Sequence, residues 1–227
     1  KKKAVTIMGP RQVGKSTLAD SIIPKDERVL EINGDNTDVQ TMFVDVDEAK
    51  MKILIGNNSF LFVDEAQKIQ NVGNMLKIVA DKFKDVKIIV TGSSAFKLAE
   101  AVNESLTGRK REFKLYPLSF KEMADYAGVL DESRMMEHRL IYGYYPEVVT
   151  SPGDEKEVIK ELIDSYLYKD VLEENNIAKP DKLVKLVQAL AFQIGSTVSA
   201  TELAGLVGID AKTVERYIEI LEKSYII

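Results

Sequence analysis

The chain has 227 residues, 45% of them hydrophobic and 30% charged, with no cysteine, one histidine and a formal charge of -5. That length supports one sizeable α/β core plus a smaller module. Zero cysteines excludes disulfides, thiolate metal sites and cysteine nucleophiles, and the negative balance excludes a whole-chain field attracting nucleic acid or anionic lipid.

No apolar stretch approaches the roughly 20 residues of a membrane span, and Lys1-Lys2-Lys3 leads into a strand pattern, not a signal-peptide core. The expectation is a cytoplasmic protein with no membrane partner. The apolar run Ala4 to Met8 reads as a buried strand, and Gly9-Pro10-Arg11-Gln12-Val13-Gly14-Lys15-Ser16-Thr17 after it fits the phosphate-loop pattern GxxxxGK[ST]. Its glycines let successive amides point at phosphate oxygens, and a helix from Lys15 adds the positive end of its dipole. Lys15 is then expected on the β- and γ-phosphates and Ser16 on Mg2+. Arg11 is either a nucleotide or neighbour contact, or simply exposed.

Further strands are predicted over Arg28 to Ile32, Phe60 to Val63, Val86 to Val90 and Arg111 to Tyr116. Helices alternate with them near Lys15 to Ile23, Asp47 to Ile55, Val72 to Phe83 and Ala95 to Val102, a pattern that requires a parallel sheet. Asp64 and Glu65 end the apolar run Phe60 to Val63. There Asp64 would hold Mg2+ opposite Ser16 and Glu65 would activate the attacking water. The alternative is a pair of solvated acids. The triplet Asp45 to Asp47 lacks the glycine of a calcium loop, since Lys50 stands in its place.

Thr91-Gly92-Ser93-Ser94 ends another strand, and its hydroxyls would meet a γ-phosphate if that strand lies between the phosphate-loop strand and the strand of Asp64. A serine-capped turn is the alternative. Arg109 is a candidate charge-compensating arginine. The cluster Arg109, Lys110, Arg111 and Lys114 also fits a solvated strand edge or a nucleic-acid patch.

After Pro117 the composition turns helical, with segments near Phe120 to Ala127, Glu132 to Tyr142, Glu155 to Leu172 and Asp181 to Ile194. Leu183, Leu186, Val187, Leu190 and Ile194 form one core-facing stripe on the last. His138 has no partner histidine for a metal site or triad. Ser199 to Glu202 reads as a capping box, followed by a helix to Val207, a turn at Gly208 to Asp210 and a helix from Ala211 to Lys223 whose Val214, Tyr217, Ile218 and Leu221 face inward. The final Tyr225-Ile226-Ile227 is expected to be the first strand of a wing whose partner is missing. From Ser196 onward three basic residues meet five acidic ones, a poor balance for DNA phosphates, so a protein partner and DNA stay open as partners. The expected domains are residues 1–118, 119–195 and 196–227.

Taken together these motifs resemble the prokaryotic AAA-family ATPases that usually carry a C-terminal domain of unknown function, relatives of the archaeal ATPase and STAND groups of the AAA+ superfamily. The resemblance rests on GPRQVGKST, on Phe60 to Gln67 (FLFVDEAQ), on Thr91 to Ala95 (TGSSA), on Gly108-Arg109 followed by Leu115 to Phe120, and on Gly143 to Val149 (GYYPEVV). It implies a P-loop sheet of about five strands of the AAA+ type, a small helical domain and a winged-helix-like helix-turn-helix. It also implies that ATP is bound by Gly9 to Thr17, that Asp64 and Glu65 are the Mg2+ and water-activating acids, and that Ser93 or Thr91 is the sensor. Arg109 matches the arginine of the Gly-Arg motif and Pro146 the base-lining proline of the Gly-x-Pro signature, although Tyr144 replaces that motif's second glycine. The expected activity is Mg2+-dependent ATP hydrolysis by a protein that moves its helical and winged-helix domains, in a homo-oligomer or alone; the alternative is a nucleotide-gated switch or DNA-binding regulator with little hydrolysis. A small-molecule phosphotransferase is disfavoured, because the adjacent acids suit water as acceptor.

Overall fold

A computed structural model of the chain describes residues 3–93, 106–165, 171–172 and 177–227. Strands β1 (Ala4–Met8), β2 (Val29–Asn33), β3 (Phe60–Asp64), β4 (Lys87–Gly92) and β5 (Lys110–Lys114) form one sheet in the order β2-β3-β4-β1-β5, all neighbours parallel. The chain is therefore an α/β protein. Helices α1 (Lys15–Ile22), α2 (Thr37–Met42), α3 (Glu48–Ile55) and α4 (Val72–Lys82) fill the connections, and the predicted helix near 95–102 lies outside the described residues. The chain packs as two units, Lys1–Thr150 and Ser151–Ile227.

The central strands are apolar throughout because both sheet faces are covered. Phe60 and Phe62 of β3, Ile7 of β1 and Ile89 of β4 cluster with Ala19 of α1 on one face. Their alternates Leu61, Val63, Ile88 and Val90 are buried as well, as period-two side chains of a doubly covered strand must be. β5 is the contrasting case. It closes one edge of the sheet, its residues Arg111 to Lys114 are exposed, and Lys110 pairs with Glu112 at 2.6 Å, so this run is a charged, solvated strand edge.

Beyond β5 the first unit continues with helices Phe120–Ala127, Val129–Arg134, Met136–Tyr142 and Pro146–Thr150. The expected single helix from Glu132 to Tyr142 is divided at Met135, whose amide donates back to the carbonyls of Asp131 and Glu132 and ends the first segment. Across that break Arg139 Nε donates to Glu132 Oε1 at 3.0 Å, with both side chains buried. Arg139 also lies over the Tyr144 ring, 5.5 Å from its centroid, and burial together with the Glu132 carboxylate pushes the Tyr144 phenol above its usual pKa.

In the second unit Leu183 and Leu186 of helix Pro180–Ala191 share one core with Leu203, Val207, Val214, Tyr217 and Leu221 of the following helix pair. Ile194 is exposed, because the helix ends at Ala191 before the stripe reaches it. Two local expectations need correction. Ser199 stands at the N-cap of helix Ala200–Val207 but its hydroxyl makes no capping bond; that helix is held by buried Leu203, Ala204 and Val207 and by Lys182 Nζ donating to Val207 O at 2.9 Å. The reciprocal capping box is instead at Ser119 and Glu122. Tyr225 to Ile227 form no strand. Tyr225 takes a left-handed φ of 58° and donates to Glu222 O, while Ile226 donates to Leu221 O at 2.9 Å and packs on the core. This is a Schellman-type helix end, which satisfies the last carbonyls internally and leaves no wing among the described residues.

Replacing Arg139 by Met leaves the Glu132 carboxylate buried without its cation. Arg139→Met is expected to lower unfolding free energy by about 3–5 kcal/mol, read by denaturant titration. Arg134→Met, which breaks an exposed pair with Asp131, costs under about 1 kcal/mol.

Candidate nucleotide site

The C-terminal ends of β1, β3 and β4 lie side by side, because β4 sits between the other two with Val90 opposite Val63 and Thr91 opposite Ile7. This is the condition under which Thr91 and Ser93 reach the phosphate loop. The loop follows β1 as a turn with left-handed backbone at Gln12 (φ 59°) and Gly14 (φ 89°), and Gly14 caps α1 without a side-chain acceptor. The first-turn amides of α1 thus have no side-chain cap, an arrangement suited to an anion. Gly9, Pro10 and Val13 are buried, Arg11 is half-buried, and Gln12 and Thr17 are exposed.

Glycine is required at Gly9 by space. A Cβ there would stand 1.9 Å from Leu115 O, on the chain leaving β5, whose amide donates to Met8 O at 2.7 Å. Lys15 is buried, donates to Pro10 O at 2.7 Å and lies 3.9 Å from Glu65 Oε1. An ammonium held inside a glycine loop beside α1's N-terminus suits a polyphosphate. Across the loop, Ser16 Oγ donates to Asp64 at 3.0 and 2.9 Å. A hydroxyl and a carboxylate converging in this way are hard oxygen donors of the type Mg2+ takes, together with water and phosphate oxygens.

Asp64 is also bonded by the Thr91 hydroxyl. Its neighbour Glu65 takes a left-handed φ of 46°, strained for a side chain with a Cβ, and starts the short 3-10 turn Ala66–Lys68. Three contacts hold that peptide: Glu65 N donates to Thr91 Oγ1 at 3.2 Å, Gly34 N donates to Asp64 O at 2.9 Å, and Gly34 backs directly onto it. A Cβ on Gly34 would come within 2.3 Å of Glu65 O. The Glu65 carboxylate accepts from Ser93 Oγ at 2.9 Å and from Gln67 Nε2 at 2.6 Å. Ser93 is thus bonded to Glu65, and Thr91 to Asp64.

Lys15, Ser16, Asp64, Glu65, Thr91 and Ser93 therefore come together at one end of the sheet. Arg109 does not join them. It precedes β5, and its carbonyl accepts from Ala4 N at 2.8 Å, at the opposite end of β1 from the loop. The five residues of β1 span about 13 Å at 3.3 Å per residue, so Arg109 cannot act as a cis sensor in this arrangement. Its guanidinium instead pairs with Asp81 at 2.5 Å, beside a cavity of about 710 Å³ that Phe83 and Ile88 help line. Pro146 is half-buried and opens helix Pro146–Thr150, after a turn whose Tyr144 carbonyl accepts from Leu118 N at 2.9 Å. Sequence reasoning gave no role to Gly34 or Gln67. Gly34 carried no signal, whereas Gln67 stood inside the quoted FLFVDEAQ run.

Residues 1–124 match the family model of an AAA domain. The chain belongs to the AAA-domain family. Residues 133–227, following the AAA domain, match a separate domain of unknown function (DUF8612). An uncharacterized protein of Methanocaldococcus jannaschii, MJ1544, is 25% identical over 247 residues, covering 99% of this chain and 56% of its own length. An uncharacterized protein of Haemophilus influenzae is 26% identical over 177 residues, 74% of this chain and 44% of that one. The chain thus spans about half the length of the relatives it matches. The solved structure of the Aeropyrum pernix ORC2 protein in ADPNP-ADP complexes superposes with a TM-score of 0.54 at 13% identity, over 98% of this chain and 80% of that one, a likeness of fold. Among the described residues no helix is long and apolar enough to cross a membrane.

Gly9→Ala and Gly34→Ala each force backbone to move, and both are expected to lose about 1–3 kcal/mol of stability. Gly14→Ala meets no atom within 4 Å and bears only the strain of its positive φ, about 1–2 kcal/mol. Thermal unfolding of the three variants measures the difference.

Proposed function

We propose that the AAA domain binds ATP and hydrolyses it with Mg2+, and that turnover moves the helical segments after the sheet. The observation that carries this reading is the joining of Lys15, Ser16, Asp64 and Glu65 at adjoining strand ends by direct contacts. The AAA-domain family and the fold shared with ORC2 support nucleotide binding.

In this reading the loop amides and Lys15 hold the β- and γ-phosphates, and Gly9 to Thr17 form the cradle. Ser16 and Asp64 would hold Mg2+, which when bound supplies charge that offsets the phosphate oxygens. Glu65 takes the proton of the attacking water, since its carboxylate already lies beside Lys15. Ser93 orients that carboxylate, Thr91 orients Asp64, and Pro146 lines the base. The bond from Leu118 to Tyr144 offers a route by which the loop end of the sheet reaches the turn before Pro146. Arg109, being at the far end of its own sheet, would serve the phosphate loop of a neighbouring subunit. The helix-turn-helix surface, with Lys212 and Arg216 exposed among Glu215 and Glu219, suits a protein partner better than DNA.

Lys15→Ala is expected to abolish ATP binding in calorimetry. Glu65→Gln should keep binding while phosphate release falls about 100- to 10,000-fold; ordinary turnover in that variant would remove Glu65 from its role. Arg109→Ala is expected to lose turnover. Mixing it with Lys15→Ala should restore part of the activity through hybrid interfaces, whereas no recovery would restrict Arg109 to its pairing with Asp81.

A further inference from the structure

Gln67 lies two residues past Glu65, in the 3-10 turn that the left-handed backbone of Glu65 begins. Its Nε2 donates to Glu65 Oε2 at 2.6 Å and to Ser93 Oγ at 2.9 Å, and Ser93 Oγ in turn donates to the same Glu65 Oε2 at 2.9 Å. The three side chains close a ring of hydrogen bonds. One carboxylate oxygen is thus held twice, while the other, Oε1, lies 3.9 Å from Lys15 Nζ on the phosphate-loop side. A glutamate's terminal torsion is broad, so without donors on Oε2 the plane of the carboxylate would be free to turn and its loop-facing lone pairs would not be fixed.

The amide's own orientation is dictated by its surroundings. Turned over, it would set its oxygen against the Glu65 carboxylate, acceptor to acceptor. In the orientation present, Gln67 Oε1 is buried and accepts no hydrogen bond among the described residues.

From this geometry we infer that Gln67 is a positioning residue of the site, which together with Ser93 fixes the plane of the Glu65 carboxylate so that its free oxygen, Oε1, faces the phosphate loop as proton acceptor. The inference rests on the proposal that the AAA domain hydrolyses ATP. In the step it serves, the water oxygen bonds to the γ-phosphorus and the water proton passes to Glu65 Oε1. The bond from γ-phosphorus to the β-γ bridging oxygen breaks, and its electron pair leaves with ADP. Gln67 touches neither water nor nucleotide and acts only through the carboxylate.

The test is a double-mutant cycle on the 227-residue chain, using wild type, Gln67→Met, Glu65→Gln and the double variant. Met keeps the length of the side chain and removes the amide. Gln67→Met is expected to keep the ATP Kd within about twofold and to lose about 10- to 100-fold in kcat, the scale set by small misplacements of a reacting group. Added to Glu65→Gln, the same change should alter kcat by less than about twofold, because the group it acts through is already gone. An unchanged kcat, or an equal loss in both backgrounds, overturns the inference. Should Gln67→Met fail to fold, Gln67→Leu removes the same donors without adding a charge, with the same two outcomes. A wild-type chain that binds ATP but releases no phosphate overturns this inference and the hydrolytic reading together. Wild-type turnover with an indifferent Gln67→Met overturns this inference alone.

Discussion

Asp64 is the point at which separate pieces of chain are tied together. Its carboxylate accepts from Ser16 at the start of α1 and from Thr91 at the end of β4, while its main-chain oxygen accepts from Gly34 after β2. Each of these bonds joins residues distant in the chain, so the geometry of the loop end of the sheet depends on strand order. With β4 between β1 and β3, the Ser16 hydroxyl reaches the Asp64 carboxylate and the Ser93 hydroxyl reaches the Glu65 carboxylate over ordinary hydrogen-bond distances. In this order Thr91, at the end of β4, stands between the loop and Asp64.

The same end of the sheet holds its least relaxed backbone. Glu65 is left-handed, and Gln12 and Gly14 are left-handed in the loop. Gly9 and Gly34 stand where a single methyl would strike a main-chain oxygen. Strain of this kind persists only where neighbouring structure over-determines it. Here the over-determination comes from buried β3 and from the ring formed by Glu65, Gln67 and Ser93. The edge strand β5 carries no such constraint and is correspondingly charged and exposed.

Arg109 illustrates how a parallel sheet separates functions by end. Residues that follow strands gather at the loop end, and residues that precede them gather at the other. Arg109 precedes β5 and meets Asp81, which lies in the last turn of α4 before β4. A link between Arg109 and a phosphate therefore requires a second copy of the loop, which is a question about assembly.

Local pattern was sufficient for the elements whose identity depends on near neighbours. The β1 bounds, the glycine loop, the apolar run before Asp64, and helices Phe120–Ala127 and Ala211–Lys223 were all legible, because periodicity and turn chemistry act over a few residues. Local pattern failed where a competing local bond or a distant partner decided. Ser119 took the capping box that Ser199 was expected to form, Met135 divided a helix, and a Schellman turn closed the last one where a strand was expected. The candidate site divides along the same line. By itself the chain singled out the candidates for phosphate and metal, since those chemistries need particular side chains at particular spacings. Only the tertiary structure decided that Thr91 bonds Asp64, that Ser93 and Gln67 share one oxygen of Glu65, and that Arg109 stands at the far end, because strand order sets these distances and no short window of sequence encodes it.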